Sequence, residues 1–326
     1  MNPSRALAVF LFGAMLQGCG GGEDDGPPPP VPLPAPPPVV SLASTNYQDA
    51  VRVPMRSAQS AYTHATLGIS IVDNLLNRPL SFFPAPCPQG GTVTYELTDQ
   101  NADSSLDPGD TVHIRWNACR INGSSSTGLV RVQLTSGVQI PGGREYQITV
   151  FVVNLELTSD LVVAPPLTVN CIVPLLYTRT ATTDHVVIQG ATFSSGHLAG
   201  DTGTAEVFLD YLQDHATQTY RYEIAGNASS GALGGRVDFT TPQPFTGVIG
   251  EFPSAGRLSV TGTGSSARLS EEGTAANDNA AVFAAVDSNG DGVIDASNAA
   301  MNWASVVPVR MFAAFGTQVG IGVPAP

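Results

Sequence analysis

Asp287, Asn289, Asp291 and Asp295 set oxygen-bearing side chains at near-alternate positions of one short stretch, in a chain whose charged fraction is only 13%. Donors on alternate residues of a tightly curled loop point inward together, and a hard cation such as calcium takes about six to eight oxygens. Without a cation the gathered carboxylates repel one another; with one, that repulsion turns into affinity. The same spacing occurs earlier, as Asp99, Asn101, Asp103 and Asp107 in TDQNADSSLDPGD. Calcium binding is therefore the chemistry expected of both stretches. As turns alone, Asn289-Gly290 and Asp291-Gly292 are also strong hairpin signals, but a turn explains neither Asp295 nor the twin spacing.

Both stretches resemble the calcium loop of EF-hand proteins. In the later one the first, third and fifth donors match at Asp287, Asn289 and Asp291, and the sharp-turn glycine at Gly292. The backbone-carbonyl position falls on Val293, the aliphatic one on Ile294, the ninth position on Asp295 and the twelfth on Asn298, where the family has glutamate. In the earlier loop Asp110 takes the twelfth position and Leu106 the aliphatic one; Ser104 replaces the glycine and Ser105 takes the carbonyl position. The resemblance implies calcium at each loop. The asparagine at position 298 removes a bidentate ligand, so affinity is expected in the range of extracellular modules, a Kd of about 10⁻⁴ to 10⁻³ M.

The elements that must position these loops are strands. TVTYEL before the first loop and TVHIRW after it alternate apolar and polar residues, so this ion would cap a β-hairpin and not join two helices. A structural role follows, since a calcium sensor needs a helix pair that opens. If 92–98 pairs with 111–117, Cys87 and Cys119 meet at the open end of the hairpin and form a disulfide. Cys171, inside LTVNCIVPLL, reads as a buried free thiol.

Period-two alternation continues in 128–135, 145–157, 184–193, 205–211, 220–224, 235–241, 256–262 and 281–286, with turn clusters between. The expected fold class is all-β and mainly antiparallel, a β-sandwich or open barrel, with one N-terminal helix over 57–77 stopped by Pro79. VVAPPLT, 162–168, is where a division of the β-rich domain 41–326 into halves would fall.

All 14 basic residues are arginine and scattered, against 27 acidic ones, so nucleic acid is not an expected partner. The absence of lysine removes Schiff-base chemistry and a P-loop. Asp201-Thr202-Gly203-Thr204 looks like an aspartic-protease triplet, but there is no second one to share a proton with it. GTGSSA, 262–267, imitates a dinucleotide loop without a following helix and is expected to be a turn. The five histidines stand apart in the sequence, and no GxSxG elbow occurs.

The apolar run Ala6–Leu16 behind Arg5 is too short to span a bilayer and has the form of an export signal, residues 1–18. Leu16-Gln17-Gly18-Cys19 at its end resembles the lipobox of Gram-negative lipoproteins. The resemblance implies lipidation of Cys19, membrane attachment through that lipid and, with Gly20 following, an outer-membrane location on an unspecified leaflet. Residues 19–40 carry enough proline to form an extended tether reaching about 60 Å. The leading expectation is a non-catalytic, calcium-binding envelope lipoprotein with a structural or interaction role and an unidentified protein or glycan partner. The alternatives are a small-molecule or glycan binding module using Tyr177, Tyr211, Tyr220, Tyr222 and Trp303, and a hydrolase resting on Asp201.

Overall fold

The computed structural model describes residues 37–76, 84–121, 124–140, 142–159, 167–196, 203–272 and 281–307. The export signal, Cys19, most of the tether, Pro79 and Asp201 lie outside them. Within them the chain forms a long helix, α1 (Tyr47–Leu75), then one sheet of fourteen strands, and a short turn of helix, α2 (Trp303–Val306). The strands are β1 (Ala85–Pro86), β2 (Thr92–Thr98), β3 (Thr111–Ile121), β4 (Ser124–Ile140), β5 (Gly143–Ser159), β6 (Leu167–Arg179), β7 (Thr183–Ser195), β8 (Ala205–Asp214), β9 (Thr219–Ser230), β10 (Gly235–Val248), β11 (Ala255–Gly262), β12 (Ser265–Glu272), β13 (Ala281–Asp287) and β14 (Ala296–Asn302). Each pairs antiparallel with the next in sequence, and the sheet stays open, because β1 and β14 do not pair. The all-β, antiparallel expectation holds, with a single unclosed sheet where a sandwich would need two.

Alternation explains why the sheet has an inside. Along β6, Val169, Cys171, Val173, Leu175 and Tyr177 are buried while Thr168 and Ile172 are exposed, and β8 repeats the pattern from Ala205 to Tyr211. The inner face lies against α1, which touches β4 to β9 and β11 to β13. Contact with so many strands explains why the buried side of α1 is broad, taking in Val51, Ala58, Ala65 and Val72, while Arg52, Gln59, Thr63 and Asn74 lie on a narrower polar stripe that is less buried. At Gly68 the sheet leaves no room for a side chain: a Cβ there would lie 2.3 Å from Val150 Cγ2. The helix begins at Tyr47, ten residues before the start expected from sequence. Pro54 sits inside it, and the missing amide costs less than the burial gained by Val51, Val53 and Met55.

Strands β1, β6 and β14 and the extent of β12 were not expected from periodicity. The outward positions of β6 are Ile172, Pro174 and Leu176, so its apolar run is nearly unbroken, and a register shift against β7 between Ile172 and Leu175 accommodates the proline. GTGSSA supplies only a tight turn, Thr263-Gly264, before β12 begins at Ser265. Residues 160–166, most of the suggested division point, lie outside the described residues, and β5 and β6 pair on either side of them.

On α1, His64 is buried against Phe193, with ring centroids 6.1 Å apart, and its Nδ1 donates to the Ser60 carbonyl at 2.8 Å. Burial holds its pKa below the ordinary histidine value, the Ser60 bond opposing only in part. The unfolded chain therefore binds a proton that the folded chain does not, and stability falls as pH drops below about 6.5. Urea midpoints at pH 7, 6 and 5 should decline in the wild type, and His64→Gln should flatten the decline. An unchanged slope in the variant would place the acid sensitivity elsewhere.

Candidate metal centres

The sheet carries the two acidic loops at opposite ends, the first between β2 and β3 and the second between β13 and β14. In the second, Asp287 accepts the amides of Gly290 (2.7 Å) and Gly292 (2.7 Å), Asn289 Oδ1 accepts that of Asp291 (3.0 Å), and Asp291 accepts that of Val293 (2.8 Å). In the first, Asp99 accepts the amides of Ala102 (2.6 Å) and Ser104 (2.7 Å), Asn101 Oδ1 that of Asp103 (3.2 Å), and Asp103 that of Ser105 (2.8 Å). The asparagine amide reaches the fifth-position aspartate in both, at 2.9 and 3.0 Å. Position by position, the two loops are the same curl.

The curl needs a left-handed backbone at its fourth and sixth residues. Gly290 and Gly292 adopt φ of 75° and 86°; in the first loop Ala102 and Ser104 hold 59° and 67°. Ser104 thus takes the turn expected of glycine, at the steric cost a Cβ carries there.

The loops differ in how they are closed. Asp110, almost fully buried, accepts the amides of Gln100 (2.9 Å) and Asp107 (2.8 Å), clasping the first loop through its twelfth position. In the second loop Asp295, the ninth position, accepts the amide of Ser288 at 2.7 Å and also its hydroxyl. Those bonds from Ser288 hold the Asp295 carboxyl below the usual carboxylate range. For Asp103 the Ser105 amide does the same, with Asp107 and Asn101 adding to it. Asn298 stands within β14 opposite Ala284, outside the curl, and Val293 is exposed. Asp107 meets the Asn101 amide at 3.5 Å.

Among the described residues no three His, Cys, Asp or Glu side chains form a ready-made ligand group. The reason is local: one of the first three donors in each loop is asparagine, and the carboxylates face their own loop's amides. A carboxylate offers about four acceptor sites, so those bonds leave lone pairs for an ion, and the donor set fits a hard cation.

Cys87 and Cys119 are bonded, with Cα atoms 5.4 Å apart, so the first hairpin is stapled at the end away from its acidic loop. Cys171 is free and buried, and burial pushes its thiol up to about 12, which keeps it from acting as a nucleophile. Tyr177, Tyr211, Tyr220, Tyr222 and Trp303 are all buried, in a run of ring contacts that continues from Tyr211 through Tyr220, Tyr222 and Phe245 to Trp303. They are core.

A polar network at the C-terminal end of α1 was not foreseen. Asp73 on α1 receives Arg144 at 2.5 Å and the Tyr146 hydroxyl at 2.9 Å, with Arg179 at 3.6 Å. Asp184 receives the Tyr177 hydroxyl (2.6 Å), Arg179 Nε (2.7 Å) and His215 Nε2 (2.7 Å). Burial raises the Asp73 carboxyl, and Arg144, Tyr146 and Arg179 offset it only in part. For Asp184 burial also acts upward, but the hydrogen bonds from Arg179, Tyr177 and His215 outweigh it and leave the carboxyl below its usual range. With its oxygens occupied in this way, Asp184 locks β6, β7 and the β8–β9 turn together. The sequence did carry a signal: Arg144, Arg179, Asp184 and Gln213 sit in phase with the inward apolar residues of their strands.

No family model, curated protein or solved structure matches the chain.

Proposed function

We propose that the chain is a non-catalytic, calcium-stabilised lipoprotein of the cell envelope, anchored to the outer membrane through lipidated Cys19 and serving a structural or interaction role. The observation that carries the calcium part is the identity of the two curls: unrelated hairpins at opposite ends of one sheet keep the same donors on the same loop amides. A turn has no need of that donor set, and an ion does. The anchoring part rests on the lipobox resemblance. Burial of the five aromatic residues in the core removes the support they lent to a ligand-enclosing module, and nothing described adds to the hydrolytic reading from Asp201.

Thermal melts of the full chain in calcium or chelator test the ion reading. At a Kd of about 1 mM and about 10 mM calcium, each site contributes roughly 1.4 kcal/mol, a shift of a few degrees. Asp287→Ala and Asp99→Ala should each remove about half of the calcium-dependent rise. The difference between the two conditions is the readout, because either substitution also weakens the curl itself. A wild-type midpoint indifferent to calcium would reduce both loops to turns.

A further inference from the structure

On the outward face of β11–β13 lies a groove of roughly 320 Å³, walled on one side by the second acidic loop. Arg257 and Arg268 line it, on neighbouring strands: Arg257 pairs with Ser270 and Arg268 with Ser259, which makes the arginines diagonal neighbours. Backbones so related are about 7–8 Å apart, close enough for two cations to repel. Among the described residues neither arginine has a carboxylate partner, although the chain holds 27 acidic residues to 14 arginines. The carboxylate on the groove wall, Asp287, is turned to the amides of Gly290 and Gly292. Phe283 holds Arg268 in place, its ring 5.6 Å from the guanidinium. The remaining lining offers the hydroxyl-bearing Ser259 and Ser266, with Pro242 and Ile294 as apolar walls.

We propose that this groove binds a carboxylate-bearing saccharide. Guanidinium forks match a carboxylate in a bidentate way, serines pair with sugar hydroxyls, and the apolar walls suit the C–H face of a ring. The site deepens the interaction role proposed above, and its two cationic groups lie outside the acidic loop, which contributes one wall through Asp287, Gly292 and Ile294.

Titration calorimetry of the full chain with a galacturonic acid oligomer tests it, with maltotriose and inorganic phosphate as comparison probes, each in calcium and in chelator. The acidic oligomer should bind and maltotriose should not; Arg257→Ala or Arg268→Ala should weaken binding at least tenfold while leaving the calcium-dependent melt intact. Binding in chelator separates the site from the ion reading. The proposal is overturned by absence of binding at millimolar oligomer, by binding that survives both substitutions, or by phosphate binding as tightly as the oligomer.

Discussion

Trp303→Ala should lower the unfolding free energy by about 3–5 kcal/mol, the range for emptying a large aromatic site in a core. Trp303 is fully buried, stacks on Phe252 with centroids 6.1 Å apart and meets the edge of Phe245 at 5.8 Å. It opens α2, capped by Asn302 Oδ1 on the Ser305 amide at 2.8 Å, and Arg56 of α1 donates to the carbonyls of Ser305 and Val306, both at 3.1 Å. The indole thus ties the end of the last strand to Phe245 and Phe252, while Arg56 ties α2 to α1. Trp303→Phe keeps an aromatic ring against Phe252 and should cost less than half as much. Urea unfolding checks both: the midpoint should fall with the slope unchanged. A loss below about 1 kcal/mol would mean that β14 and α2 unfold apart from the rest.

Asp184→Ala should cost about 3 kcal/mol, at the lower end for breaking a buried ion pair, because Arg179 and His215 keep some contact with water. Tyr177→Phe removes one hydrogen bond to the same carboxylate and should cost about 1 kcal/mol. Since the folded carboxyl lies below its usual range, its contribution is complete above the ordinary aspartate value of about 3.9 and is lost as pH falls through the folded value. That window lies below the one assigned to His64, so the two groups separate in a pH series of urea midpoints. An Asp184→Ala protein as stable as wild type at pH 7 would show that the network is not coupled to folding.

What the sequence disclosed depended on distance along the chain. The donors of each acidic loop fall within a dozen consecutive residues, so the curl was legible in the order Asp287, Asn289, Asp291 before any fold was known. The disulfide was legible because a hairpin converts sequence symmetry about its loop into proximity of Cys87 and Cys119. Strands showed where outward positions are polar, as in β8. They were hidden where Ile172, Pro174 and Leu176 made both faces of β6 apolar, or where small and polar residues fill β12 and β14. The network joining Asp73, Arg144, Arg179, Asp184 and His215 spans three strands, the β8–β9 turn and the helix, so no local pattern gathers it. The start of α1 was obscured because Pro54 reads locally as a breaker, and only the enclosing sheet makes a helix through it favourable. The groove shared by Arg257 and Arg268 likewise exists only once β11 and β12 are in register.

The position of α1 ahead of its sheet sets an order of assembly. A helix with a broad apolar side is made before any strand that will cover it, and that cover waits for strands as far along as β13. Strand addition can proceed hairpin by hairpin as the chain lengthens, since every strand pairs with its sequence neighbour. Until the last hairpins arrive, part of the apolar side of α1 stays uncovered, a feature that invites aggregation.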